Sequence, residues 1–341
     1  MTCIPTARLI VLGLITLTTA IALLAGCSRQ DAAPTPPPAT EKLVLGAENG
    51  LLASAVWVAE RKGYFKAQGL ELRIVRFDSG RAALENMLEQ GGLDLVTVAQ
   101  TPVMFNSFNR ADYALIAGMV TAVDDVKLVA RRDTGIAQVA DLKGKRIGAT
   151  RGSTGHYFLS AFLRTNGVGM GEVEMVDMKT DALSQALADG KVAAISTWEP
   201  HATKTRQLLG ANALAFDSHG IFREDFYFVA KRDTIARHPH ALERFLKAID
   251  QANQDMAANP GEAIGIVAAH LNIERASIEA LWSVYSFRLF LDQTILLSLE
   301  DEARWAIDNA LTDKKTLPNY LEFVSPDVLK AVKPAAVTLI D

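Results

Sequence analysis

The feature that most restricts this chain is a repeating alternation of short β-branched runs with helix-patterned stretches. Residues 43–45, 71–77 (ELRIVRF), 93–99 (LDLVTVA) and 113–121 read as strands. Between them, residues 54–62, 82–90 and a stretch opening at Thr101-Pro102 read as helices. Proline suits a first helical turn, where its missing N–H is not needed. The rhythm restarts with strands over 126–130 and 146–149, which flank a short helix near 139–142. A helix over 154–165, a strand over 172–178, a helix over 181–188 and a strand over 192–197 follow. Residues 226–230 (FYFVA) form a late strand, and from Pro239 onward the pattern is mostly helical. Continuous apolar strands separated by helices imply mainly parallel sheets covered on both faces. Two such sets predict an α/β chain of two lobes. Ligands of open α/β sheets bind at the carboxyl ends of strands, and lobe interfaces are favoured pocket sites. The residues just after the strands are therefore the place to look for a site.

The first 26 residues have a different character. Arg8 is the only charge before an apolar run over residues 9–26, which ends in Leu24-Ala25-Gly26-Cys27. A short charged start, an apolar middle and small residues before a cleavage point mark a secretory signal. The Cys directly after Leu-Ala-Gly resembles the bacterial lipobox, in which the thiol is diacylated and becomes the new N-terminus. A run of about 18 apolar residues is at the lower edge of a bilayer span, and an uncleaved anchor would have no need of Cys27. Residues 1–26 are thus expected to be a lipoprotein signal peptide and Cys27 the lipidation site. Residues 27–42 contain four prolines and almost nothing apolar, so they read as a semi-extended tether. The expected location is the periplasm or cell surface, held to the membrane by an N-terminal lipid.

Composition narrows the function classes. Cys3 and Cys27 are the two cysteines, so a mature body carries neither free thiol nor disulfide and depends on its core. A 49% apolar composition supplies one. The formal net charge is −4 and no Lys/Arg run appears, which argues against nucleic acid or an anionic membrane surface as partner. The six histidines are scattered without a ligand spacing, so no metal and no cofactor are expected.

Four segments after strands are candidate ligand contacts. Asn49 and Gly50 follow the first strand; small residues there admit a ligand to the backbone, or simply make a turn. Gln100 and Thr101 follow the third, and Thr101 either meets a ligand or caps the next helix. Arg151, Ser153, Thr154 and His156 lie where a glycine-rich loop enters a helix. A helix N-terminus carries unpaired N–H groups and about half a positive charge, suited to an oxyanion. The GxxxxGK[ST] spacing of a phosphate loop and the GxSxG of a hydrolase elbow are both absent. Ser153 and His156 can share a helix face, but no third group supports a nucleophile and base, so catalysis is not expected. Trp198 and Glu199 follow the strand VAAIST: Trp198 is a wall for an apolar ligand part or a core residue, and Glu199 accepts from an amine or opens a helix at Pro200.

At these segments the sequence resembles the nitrate/sulfonate/taurine family of periplasmic binding proteins, which also includes binders of thiamine pyrimidine precursors. The resemblance runs from about Leu43 to Lys314. It rests on Ala59-Glu60-Arg61-Lys62-Gly63-Tyr64-Phe65, Gly69-Leu70-Glu71, Leu93-Asp94-Leu95, residues 141–148 (DLKGKRIG), Gly152-Ser153-Thr154 and Trp198-Glu199-Pro200. It implies the type II periplasmic-binding fold, with lobe one at 43–123 plus 222–341, lobe two at 124–221, and crossings near 122–126 and 219–225. It also implies a monomeric receptor that closes on a small molecule and delivers it to an ATP-binding-cassette (ABC) permease. Asn49, Gly50, Gln100, Thr101, Ser153, Thr154, Trp198 and Glu199 would then line the cleft. The implied ligand is an aliphatic sulfonate, taurine or nitrate. Gln100 stands where some sulfonate binders have an acidic residue, so the alternatives are a thiamine pyrimidine precursor or other nitrogen heterocycle, or presentation of the ligand to a sensor.

Overall fold

Strand β1 (Glu41–Glu48) shows how the local pattern is used: Leu43, Leu45 and Ala47 are all buried, on one face of the pleat. The computed structural model describes residues 40–340. The expected signal over 1–26, Cys27 and the tether as far as residue 39 lie outside the described residues. The strand starts before Leu43, because Glu41 and Lys42 already pair with Leu70 and Glu71 of β2 (Leu70–Phe77), so the expected tether ends short of residue 42.

The further strands are β3 (Leu95–Ala99), β4 (Tyr113–Ala122), β5 (Val126–Arg131), β6 (Arg146–Ala149), β7 (Glu174–Asp177), β8 (Ala194–Trp198), β9 (Ala213–Ala215), β10 (Glu224–Lys231) and β11 (Tyr285–Phe290). They make a six-stranded sheet in the order β11-β4-β10-β3-β1-β2 and a five-stranded sheet in the order β7-β6-β8-β5-β9. The chain leaves the first sheet between Ala122 and Val126 and returns between Ala215 and Glu224.

Both sheets are mixed rather than mainly parallel. β1 is parallel to β2 and β3, and β6 to β7 and β8, but β10 is antiparallel to β3 and β4, and β5 to β8 and β9. The reversals fall on the strands that receive the chain after each crossing. Apolar content reports burial on both faces and carries no information on strand direction, which is why the sequence misleads here.

The helices that position the site are α1 (Ser54–Arg61), α2 (Tyr64–Ala67), α3 (Gly80–Glu89), α4 (Gln100–Ser107), α5 (Thr154–Thr165), α6 (Thr180–Ala188) and α7 (His201–Leu209). The C-terminal part adds α8 (Arg232–Arg237), α9 (Pro239–Ala258), α10 (Pro260–Leu271), α11 (Arg275–Leu281), α12 (Gln293–Asp308) and α13 (Asp327–Val332). One core cluster fills the first sheet and its helices, with Trp57, Phe228 and Phe245 fully buried. On the second sheet Phe158 and Phe162 of α5 join one cluster, while Leu183 and Leu187 of α6 join another.

Strand β11 interrupts the region expected to be helical. It pairs antiparallel with β4 with an irregularity between Phe287 and Phe290, so its signal is a short, bent edge strand. Gly118 of β4 is there because of it: a Cβ at that position would lie 2.4 Å from Phe290 Cζ, so only glycine admits the ring.

Candidate functional site

Residues from both sheets meet around a small cavity of about 20 Å³. Glu48, at the end of β1, and Glu224, at the start of β10, come from the first sheet; Trp198 ends β8 of the second, and Ser153 and Thr154 open the helix α5 that packs on it. The two sides already touch: the Trp198 indole Nε1 donates to Glu48 Oε1 at 3.1 Å. Arg81 of α3 makes a second contact, donating from Nη1 to the Arg151 carbonyl at 2.6 Å. Arg81 and Ser79 line both the cavity and a wider groove of about 560 Å³ beside it, so Arg81 stands between the two. A third contact is made by Trp305 of α12, whose Nε1 donates to Ser160 Oγ of α5 at 2.9 Å and whose ring meets His156 edge-on.

Local chemistry shapes each wall. The Glu48 N–H donates to Thr97 Oγ1 of β3 at 3.0 Å, which keeps β1 extended to its last residue. Gly80, at the first turn of α3, packs directly on β3; a Cβ there would sit 2.7 Å from Val98 Cα. The loop before α5 is tied by Thr150 Oγ1 to the Met178 carbonyl at 2.8 Å and by Ser153 Oγ to the Thr150 carbonyl at 2.6 Å. Ser196 Oγ of β8 donates to the Gly155 carbonyl at 2.7 Å, which seats the helix start on the sheet.

The candidate residues divide by where their side chains go. Ser153, Thr154 and Trp198 reach the cavity, and Gly50 sits against the Glu48 carboxylate, to which a Cβ would be 3.2 Å. Asn49 does not face it: the strand alternates there, and Asn49 Oδ1 pairs with His270 Nε2 at 3.1 Å on another surface. Gln100 is spent inside the protein, donating from Nε2 to the Arg223 carbonyl at 3.0 Å and accepting from the Asp225 N–H at 2.7 Å, which fixes the returning crossing. Thr101 is buried beside it. Arg151 is exposed, 3.7 Å from Asp177, while its N–H donates to the same carboxylate. Glu199 caps α7 by accepting from the Thr203 N–H at 2.9 Å, and Arg206 lies 3.5 Å away. His156 Nδ1 accepts from the Gly152 N–H at 3.3 Å, and Ser153 Oγ is bonded to Thr150, so the two are not a nucleophile–base pair.

Electrostatics at the cavity is dominated by acids the sequence reading passed over. Burial, with Asp125 nearby, pushes Glu48 up to about 8 against the opposing Trp198 hydrogen bond. Asp125, in the first crossing, is pushed up to about 7 by burial and by the Glu199 charge, although Tyr285 of β11 donates its hydroxyl to Asp125 Oδ1. Glu224 is raised well above the usual carboxylate range by burial, then by Asp125 and Glu48. Glu199 is raised too, again chiefly by burial. His156 is lowered to about 4 by burial and the Arg151 charge, so its imidazole is neutral at physiological pH. The one available signal was position: Glu48 ends a strand and Asp125 and Glu224 stand in or beside the crossings. Tyr285 had none, because its strand was not legible. Among the described residues no group of His, Cys, Asp and Glu has the arrangement of a metal site, and no helix is long and apolar enough to cross a membrane.

Known proteins are similar to this chain in sequence and in fold. A putative aliphatic sulfonates-binding protein of Bacillus subtilis is 26% identical over 309 residues, covering 89% of this chain and 92% of its own. A putative binding protein of Brucella abortus is 26% identical over 227 residues, covering 65% of this chain and 69% of its own. Among solved structures, the alkanesulfonate-binding protein SsuA from Xanthomonas axonopodis pv. citri bound to MOPS superposes with a TM-score of 0.72 at 19% identity, over 89% of this chain and 100% of that one. The fold is therefore that of the periplasmic binding proteins. The family model described as NMT1/THI5 like matches residues 53–263, more than half of the sequence, and the chain belongs to that family.

Proposed function

We propose that this chain is the solute-binding component of an ABC importer, a non-enzymatic receptor that closes on a small molecule and hands it to a permease. The observation that carries this is the cavity itself: its wall is shared by the two sheets at the ends of β1, β3 and β8 and the start of β10, where closing lobes would enclose a solute. Lobe one is assigned to 43–123 plus 222–341 and lobe two to 124–221, in keeping with the sheet each strand joins. The signal over 1–26 and diacylated Cys27 would keep the receptor beside the membrane, where acyl chains contribute about 0.8 kcal/mol per buried CH₂.

The relatives' names favour a sulfonate-like solute, held at the start of α5 by Ser153 and Thr154. Glu48 and Glu224 on the same wall favour the nitrogen-bearing alternative, because N–H groups would let these acids ionise whereas a bare oxyanion would require both to keep their protons. Trp198 would supply the flat wall. The test is native mass spectrometry of the full chain isolated from its host without unfolding, with thermal unfolding before and after ligand removal. A retained small molecule whose removal lowers the melting temperature is expected, along with a diacylglyceryl mass that disappears in Cys27→Ala. Absence of any stabilising small molecule, in the wild type and under a broad panel alike, would overturn the receptor reading.

A further inference from the structure

We infer that the solute is an organic cation with several N–H donors, such as an ammonium, amidinium or guanidinium, held by Glu48 and Glu224 with Asp125 behind them. This rests on the receptor reading above and adds the charge class of the ligand.

Three observations converge. The first is a set of buried acids with no cationic partner in the protein. Glu48, Asp125 and Glu224 are 4%, 2% and 3% exposed, and they act on one another electrostatically. Among the described residues none of the three has a cationic side chain within ion-pair distance. Lys127 is held by Asp124 at 2.5 Å, and Arg206 lies against Glu199. Buried acids in proteins are ordinarily paired, because desolvating a charge costs several kcal/mol. Here the missing partner would come from outside.

The second is unused hydrogen-bonding capacity. Glu224 Oε2 and Asp125 Oδ2 have no donor beyond the proton that the two adjoining carboxyls share, and Glu224 lies on the cavity wall. The Tyr285 hydroxyl and Trp198 indole occupy one oxygen each of Asp125 and Glu48, which aims the remaining acceptor positions as a set. Acceptors without donors on an enclosed wall fit a ligand that brings N–H groups.

The third is the approach. The groove beyond Arg81 presents Asp78, Glu85, Asp177 and Asp181 against Arg81, Lys179 and, beside Asp177, Arg151, so one acid is in excess. Such a mouth raises the local concentration of cations and repels anions.

The test separates solutes by charge before any is identified. A small-molecule extract of the host is divided by ion exchange at pH 7.5 into cationic, neutral and anionic pools. Each pool is added to the full chain, stripped of ligand by dialysis, and thermal unfolding is followed. Stabilisation by the cationic pool is expected, with the midpoint concentration raised at least tenfold in Glu224→Gln and Glu48→Gln. Melting of both ligand-free variants at or above the wild-type temperature would confirm that they fold. Stabilisation by the neutral or anionic pool alone overturns the cation assignment and leaves the receptor reading standing. An unchanged response in both folded variants also overturns it. No response to any pool overturns the receptor reading, and the cation assignment with it.

Discussion

Neutralising Glu302 on α12 isolates what burial does to a carboxylate in this fold, away from the cavity. Glu302 is 1% exposed, with the Thr101 and Gln100 side chains close to its carboxyl. Burial is the main reason it is pushed up to about 8, with Asp225 adding to the rise and the neighbouring Thr101 and Gln100 side chains opposing it. A carboxylic acid whose folded-state value is raised binds its proton more tightly folded than unfolded. Its contribution to stability is complete below the unfolded value, near 4.5, and is lost as pH rises to the folded value, about 8. At 1.36 kcal/mol per pH unit the full loss is about 5 kcal/mol, of which about 1 is gone by pH 5 and about 3 by pH 7. Glu302→Gln keeps the shape and cannot ionise, so it removes this slope. Urea unfolding of wild type and variant at pH 5, 7 and 9 reads it directly: the variant's advantage should grow by about 4 kcal/mol from the lowest to the highest pH. Stability curves that stay parallel within about 1 kcal/mol would refute the claim that Glu302 holds its proton at neutral pH.

Further outcomes follow from single contacts. Gly118→Ala drives a methyl group into the Phe290 ring and should cost about 1–3 kcal/mol in urea unfolding, with loss of the β11 edge visible as faster amide exchange at residues 285–290. Gln100→Ala strips the Asp225 N–H and Arg223 carbonyl of their partner and should destabilise by about 1–3 kcal/mol. Arg81→Ala removes the contact with the Arg151 carbonyl; small-angle scattering of the ligand-free protein should then show a larger radius of gyration than wild type. Because burial holds His156 neutral, nitrogen-15 shifts of its ring should remain those of neutral imidazole down to about pH 5.

Much of the layout could be read from the chain. The strands ending near Ala99, Ala149 and Thr197 lie where their apolar runs place them, because both faces of each are covered. Strand direction could not be read, since it depends on where the chain re-enters a sheet. The tyrosine-led strand β11 was missed because YSFRLF is short, half exposed and set between helices. At the site, each expected segment after a strand comes near the cavity, but only some of the expected side chains reach it. At the end of β1 Asn49 is an expected contact, yet hydrogen bonding to Thr97 keeps the strand extended through Glu48 and turns the next residue outward. Gln100 and Glu199 occupy positions that suit a ligand, but nearby backbone N–H groups compete for the same oxygens and take them. Asp125 and Glu224 look like ordinary loop acids until the fold buries them together, and a linear pattern does not encode that distance.

Tyr285 also sets an order of events. Its hydroxyl closes on Asp125, whose neighbours Glu48 and Glu224 are far away along the chain. A polypeptide emerging from the ribosome carries every residue of the cavity wall once Phe226 is made, yet Asp125 lacks its hydroxyl donor until β11 has appeared. Truncated products ending before residue 285 would therefore hold Asp125 without the contact that orients it, and the acids beside the cavity would be less firmly placed than in the full chain.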